Sequence, residues 1–182
     1  MKNNKISQMM LASMLCAIGI IIPLFSPIKV VIEPASFTLA SHVAIMIAMF
    51  LSPGITATVC IGTTIGFFFG GFPITVVARA ASHLVFALIG SYALTKKPDL
   101  IQGKKFIAFT LVLSLIHAAC EVIVVMPFFF SGADTSNFLY SIIVLVGVGT
   151  VVHSMVDFMI ARAVYQVVPA KYKAQVPAYQ QA

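Results

Sequence analysis

Long apolar runs, cut by short polar or proline-glycine stretches, dominate the chain. A helix needs about 20 apolar residues to cross a bilayer, and the runs are read against that length. The first covers about residues 7–25 and stops at Ser26-Pro27. Beyond it Lys29 and Glu33 mark a polar loop, where the β-branched stretch Ile28-Lys29-Val30-Val31-Ile32 suits a short extended piece before Pro34. From Pro34 to Ala78 there is no Asp, Glu, Lys or Arg, which is too long for one helix. Ser52-Pro53-Gly54 breaks it, because proline cannot continue a helix and glycine supplies the turn. The two halves, about 37–51 and 55–69, are both short for a span, and Gly70-Gly71-Phe72-Pro73 is the next turn. Three further runs cover about 74–95, 106–128 and 138–167. The loop from Lys96 to Lys105 separates the first two of these, and the polar turn from Ser131 to Asn137 precedes the last and offers it a cap. The pattern predicts an all-α membrane protein: one domain over 1–182, six transmembrane helices in a compact bundle, and a loose polar tail from about 169.

Charge sharpens this expectation. Six spans put both ends on one side, and Lys2, Lys5, Lys96, Lys97, Lys104, Lys105, Lys171 and Lys173 then share that side. The opposite loops keep Lys29. Positive residues collect on the cytoplasmic face, so cytoplasmic N and C termini are expected. Of the 182 residues 60% are hydrophobic and 9% charged, against about a quarter charged in a soluble domain. The net charge of +6 therefore reads as topology, not as nucleic-acid binding. The first run follows Lys2 and Lys5 like a signal peptide, yet it lacks a clear cleavage site and is long enough to span. Cys16, Cys60 and Cys120 all lie in apolar runs and suggest neither a disulfide framework nor a metal motif.

Ionisable residues inside the apolar runs carry the functional signal. Arg79/His83, His117/Glu121 and His153/Asp157 are each spaced by four, so both members project from one helix face. Such groups are costly at bilayer depth and are usually found facing a bundle interior or a water-filled cavity. With the predicted orientation, Arg79 lies about one and a half turns in from the outside and His83 about one turn deeper. His117 falls near the middle, Glu121 a turn nearer the outside, and His42 near the outer end of the second segment. These five residues are expected around one point in the outer half. The loop carrying Lys29 and Glu33 is the candidate lid, and Phe68 and Phe72, with their neighbours Phe67 and Phe69, are candidates to wall the pocket or stack on a flat ligand. His153/Asp157 is expected deeper and structural. Simpler readings stand beside these: Arg79 snorkelling to headgroups, His117/Glu121 as a structural pair, His42 as a cap, the phenylalanines facing lipid.

Small residues mark helix contacts. Ala12, Ser13, Cys16, Ala17 and Gly19 occupy one side of the first segment, and Gly62, Gly66 and Gly70 recur every fourth residue in the third. Such spacing lets membrane helices approach closely. Packing within the bundle is the preferred reading for the glycines, and a partner subunit remains open for the first segment. No GxxxxGK[ST], GxSxG or HExxH motif is present, so the chain is not expected to be an enzyme or to carry its own ATPase.

The stretches LASMLCAIG, PASFTLASHVAIMIAMFLSPG, IGTTIGFFFGGFP, RAASHLVFALIG and HAACEVIVV resemble the substrate-binding S-components of energy-coupling factor (ECF) vitamin transporters, nearest the niacin type, over almost the whole length. The resemblance implies a bacterial multi-pass plasma-membrane protein. It implies a vitamin pocket in the outer half gated by the first outer loop. It also implies partners: a transmembrane coupling T subunit and two cytoplasmic ATPase subunits that hydrolyse ATP, with no cofactor or metal bound by this chain. The family docks through an alanine-x-x-x-alanine face on helix one, which reads here as Ala12-x-x-x-Cys16 or Ser13-x-x-x-Ala17. For nicotinate, Arg79 is expected to hold the carboxylate, His83 or His42 the ring nitrogen, and phenylalanine the ring face.

Three rivals remain at this point. A related vitamin of the pantothenate, pyridoxine, cobalamin or folate class is one. A haem or metal protein is another, although four histidines on four segments, expected at different depths, argue against it. The third is a stand-alone proton-coupled carrier using His117/Glu121 or His153/Asp157 as a relay.

Overall fold

The computed structural model describes residues 3–32, 35–130 and 140–168. Glu33, the turn at 131–137 and the tail lie outside these. Helix α1 (Asn3–Phe25) leads into a hairpin of β1 (Lys29–Ile32) and β2 (Ala35–Thr38), then α2 (Val43–Leu51), α3 (Pro53–Phe69) and α4 (Ile74–Lys96). A 3₁₀ turn, Pro98–Ile101, joins α4 to α5 (Gly103–Phe130), and a π-helical stretch, Tyr140–Val148, runs into α6 (Gly149–Val167). Among the described residues, four stretches are long and apolar enough to cross a membrane: Lys5–Phe25, Ile74–Lys96, Gly103–Phe128 and Tyr140–Val167. Pro53–Phe69 is a shorter apolar helix. The chain is an all-α, multi-pass membrane protein with one small hairpin.

That hairpin corrects the expected second segment. The extended piece anticipated at 28–32 has an antiparallel partner, with Lys29 opposite Thr38 and Val30 opposite Phe37. Phe37 is therefore strand, not helix. Proline at 34 disfavours a helical conformation just before it, and β-branched residues suit the pleat. Helix α2 begins only at Val43 and has nine residues, about 13.5 Å of rise. It is too short to cross alone. Its N-terminus sits roughly halfway along its neighbour α3, which has 17 residues.

The break at 52–54 forms as its chemistry requires. Ser52 caps α3 by accepting from the Ile55 amide at 3.2 Å, and Pro53 takes the first helical position. The glycines of α3 pack inside the chain: a Cβ at Gly62 would stand 2.6 Å from Cys16 Sγ, and one at Gly66 would stand 2.2 Å from Ile20 Cδ1. Helices α1 and α3 approach closely because those side chains are missing.

Buried residues form stripes at helical spacing. In α4 the stripe reads Arg79, His83, Phe86, Ala87, Gly90, Leu94. In α5 it reads Phe106, Leu113, His117, Glu121, Val125, and in α6 Thr150, Ser154, Asp157, Phe158, Ala161, Tyr165. Helix α2 is buried on nearly every side and packs against α1, α3, α4 and α6. Below the histidines the core is apolar, built on Met46, Met49, Phe50, Phe86, Leu113 and Phe158. In the loop after α4, Lys105 donates to Asp99, and this contact holds the Asp99 carboxyl below its ordinary range.

Candidate functional site

The polar stretches of α4, α5 and α6 meet the N-terminus of α2 in one buried cluster. Arg79 Nη2 donates to Glu121 Oε2 at 2.9 Å, and Thr150 Oγ1 donates to the same oxygen at 2.5 Å. Glu121 Oε1 faces His83 Nε2 at 3.3 Å and His117 Nε2 at 3.4 Å. Asp157 Oδ1 accepts from the Ala40 amide at 2.8 Å. Its Oδ2 accepts from the His42 amide at 2.9 Å and faces His42 Nδ1 at 3.1 Å and His153 Nε2 at 3.3 Å. Ala40 holds φ 67, a left-handed conformation that costs a non-glycine residue about 1–2 kcal/mol; its bond to Asp157 offsets part of that cost.

The His42 ring stands at the centre. Its centroid lies 4.6 Å from His83, 4.8 Å from His117 and 5.0 Å from His153, each pair edge to face. His117 stacks on Phe86 at 4.2 Å. Glu121 is 1% exposed and Asp157 0%, so both carboxylates depend on these partners for the solvation they have lost.

A cavity of about 60 Å³ opens beside the cluster, lined among others by Lys29, His42, Phe67, Phe72, Arg79 and His83. Phe67 and Phe72 stack with centroids 4.5 Å apart. Arg79 Nη1 reaches the Ser36 carbonyl at 3.5 Å, and its buried Nε has no hydrogen-bond partner among the described residues. The Arg79 side chain itself contributes to the cavity lining. Phe37, on β2, packs over the cluster: its ring lies 5.4 Å from His153 and under the Arg79 guanidinium at 5.6 Å.

Sequence comparison agrees with this architecture. The chain is 41% identical over 163 residues to the protein described as "Niacin transporter NiaX" from Lactococcus lactis subsp. cremoris (strain MG1363), covering 88% of this chain and 73% of that protein. The chain belongs to the niacin-type S-component family. No family model and no solved structure matches it.

In this family member the expected site residues fall into three groups. Arg79, His83, His42, His117 and Glu121 come together, and Lys29 and Phe72 reach the adjoining cavity. Phe68 does not: it is 60% exposed, and its neighbour Phe67 takes the cavity position, because adjacent helical residues point about 100° apart. Glu33 lies outside the described residues. The expected separation in depth of His153/Asp157 from the rest is corrected. The late start of α2 lowers His42 to the level of Asp157. The π-helical stretch also closes each bond one residue later, so the last helix advances less per residue than an α-helix.

Thr150 and Ser154 also belong to the cluster, and the sequence pattern does not single them out. Their signal was their place on the buried stripe that also carries Phe158 and Ala161. On α1, Ala12 is buried and Cys16 turns inward, its thiol 3.6 Å from the Thr58 carbonyl. Ser13 and Ala17 face outward. Of the two spacings considered for docking, Ser13-x-x-x-Ala17 is the one left on the surface.

Proposed function

We propose that this protein captures nicotinate from outside the cell and delivers it inward as the substrate-binding subunit of an ATP-driven importer. The observation that carries the reading is the cavity with two cations and a stacked aromatic pair, Lys29, Arg79, Phe67 and Phe72, in a chain 41% identical to a niacin transporter. A flat ring with a carboxylate matches that wall. Arg79 supplies its guanidinium charge to the carboxylate while Glu121 holds its Nη2. Lys29, exposed at the mouth, adds a second cation. Phe67 and Phe72 supply the face for the ring, and His42 or His83 meets the ring nitrogen.

Six spans with cytoplasmic ends, a transmembrane coupling subunit and two ATPase subunits complete the reading. It is supported by the lysine distribution, by the absence of a phosphate-binding loop, and by the outward small-residue pair Ser13 and Ala17 for docking. The ATP is hydrolysed by the partners.

Binding of tritiated nicotinate to the purified chain tests the capture step. Nicotinate should bind saturably, and nicotinamide, which lacks the carboxylate, should bind at least about tenfold more weakly, the loss of about 1.5–3 kcal/mol expected for one charged hydrogen bond. Lys29→Ala should weaken nicotinate and leave nicotinamide unchanged. Equal affinity for the two ligands would remove the cations from recognition. Uptake into vesicles that proceeds without the ATPase partners would favour a proton-coupled carrier instead.

A further inference from the structure

The histidine cluster has the donor set and spacing of a metal centre. One nitrogen each from His42, His83 and His117 and one oxygen from Glu121 lie within 4.8 Å of one another, all four residues buried. Metal bonds to histidine nitrogen and carboxylate oxygen are about 2.0–2.1 Å, so tetrahedral ligand atoms stand about 3.3–3.4 Å apart. His83 Nε2 and His117 Nε2 stand 3.3 and 3.4 Å from Glu121 Oε1. A charge-assisted hydrogen bond would be shorter, about 2.7–2.9 Å. His117 Nε2 is buried and makes no hydrogen bond among the described residues, so its lone pair or proton is unspent.

The surrounding contacts orient each ligand. His42 Nδ1 meets Asp157 Oδ2 at 3.1 Å; an ionised carboxylate only accepts, so Nδ1 carries the proton and Nε2 keeps its lone pair. His117 Nδ1 meets Ser154 Oγ at 3.2 Å. Glu121 Oε2 is held by Arg79 and Thr150, which leaves Oε1 as the inward atom. Ligating histidines are commonly fixed in this way through their outer nitrogen, and ligating carboxylates are themselves hydrogen-bonded. Formal charge points the same way. Glu121, Asp157 and Arg79 leave one net negative charge among the buried groups, which favours a cation within the cluster.

We propose that His42, His83, His117 and Glu121 bind a divalent transition-metal ion, zinc being the best match to three nitrogens and one oxygen in a closed tetrahedron. Three of these ligands, His42, His83 and Glu121, also line the cavity that carries Lys29 and Arg79, so a bound metal would take the place of an imidazole at the ring nitrogen; the proposal does not rest on the identity of the vitamin. On binding, the widest-spaced ligand atoms draw inward.

The test uses tag-free full-length chain, stripped with chelator in detergent and reloaded with Zn²⁺ or Co²⁺. Metal content after gel filtration should be about one per chain. The cobalt form should show the intense visible d–d bands of four-coordinate cobalt, a readout on the unmutated protein that needs no variant to fold. His117→Gln should lose the bands and weaken zinc at least about tenfold, whereas His153→Gln, outside the four ligands, should keep both. Substoichiometric metal with the pale spectrum of six-coordinate cobalt would mean an adventitious ion only and would overturn the proposal. So would bands that survive His117→Gln. Nicotinate binding by the stripped and loaded chain is measured separately, so a protein that binds metal but no vitamin, or vitamin but no metal, sinks one reading without touching the other.

Discussion

Helices α4, α5 and α6 each carry one buried stripe, and the stripe changes character halfway along. At one end it holds Leu94, Phe106, Ala161 and Tyr165; at the other it holds Arg79, Glu121, Thr150 and Asp157. The geometry of burial is the same in both halves. The apolar half closes by volume, with Gly90 admitting Met49 and Leu113 where a Cβ would stand 2.2 Å from Met49 Cε. Its one cation, Arg162, rests over the Phe106 ring at 4.6 Å. The polar half closes by pairing: each carboxylate oxygen has a donor or an imidazole nitrogen beside it. Packing tolerates a missing methyl by partial collapse, whereas an unpaired buried charge has no comparable way to relax. The two halves should therefore fail differently.

The largest effect is expected at Glu121. Glu121→Ala leaves Arg79 buried without its carboxylate, and thermal unfolding in detergent should show a loss of about 3–5 kcal/mol. A smaller loss than in the apolar half would break the contrast. Leu113→Ala, in that half, should cost about 2–4 kcal/mol through the cavity it opens and should leave nicotinate binding within about twofold of the unmutated chain, since Leu113 does not line the cavity. Gly149→Ala probes Phe37, which packs over the polar half. A Cβ there would stand 2.7 Å from Phe37 Cζ, so the ring must shift, at about 1–3 kcal/mol, and a binding assay should register faster ligand exchange. The smallest effect belongs to Asp99→Asn, which removes an exposed contact to Lys105 outside both halves. The depressed Asp99 carboxyl contributes above the ordinary carboxylate range and loses that contribution as pH falls through it. Solvent screens the pair, so the melting midpoint should not move measurably at neutral pH.

Much of this division is written in the chain, for reasons that differ by residue. Arg79 and His83 are spaced by four, as are His117 and Glu121, and a helical period places them on the stripe that Phe86 and Leu113 also occupy. The Ser-Pro-Gly break was legible because capping is local. The strand at 35–38 was hidden: Ala35-Ser36-Phe37-Thr38 is apolar enough to extend a helix, and only pairing with 29–32 decides otherwise. The partnership of Asp157 with His42 was hidden too, since it joins residues 115 positions apart and depends on where α2 starts. Phe67 and Phe68 have identical side chains, so only the rotation of α3 tells which one faces the cavity. Ala12 and Cys16 read as a docking face until α3 is seen to occupy it.

Asp157 ties the hairpin segment to the last helix. Its two oxygens accept from the amides of Ala40 and His42, directly after β2. The hairpin is thus not a flap free to swing on its own: a displacement of α6 pulls on the segment that carries Phe37, and a lift of that segment tugs α6 in return. In the importer proposed above, a force applied to α6 would reach the hairpin segment through that single carboxylate.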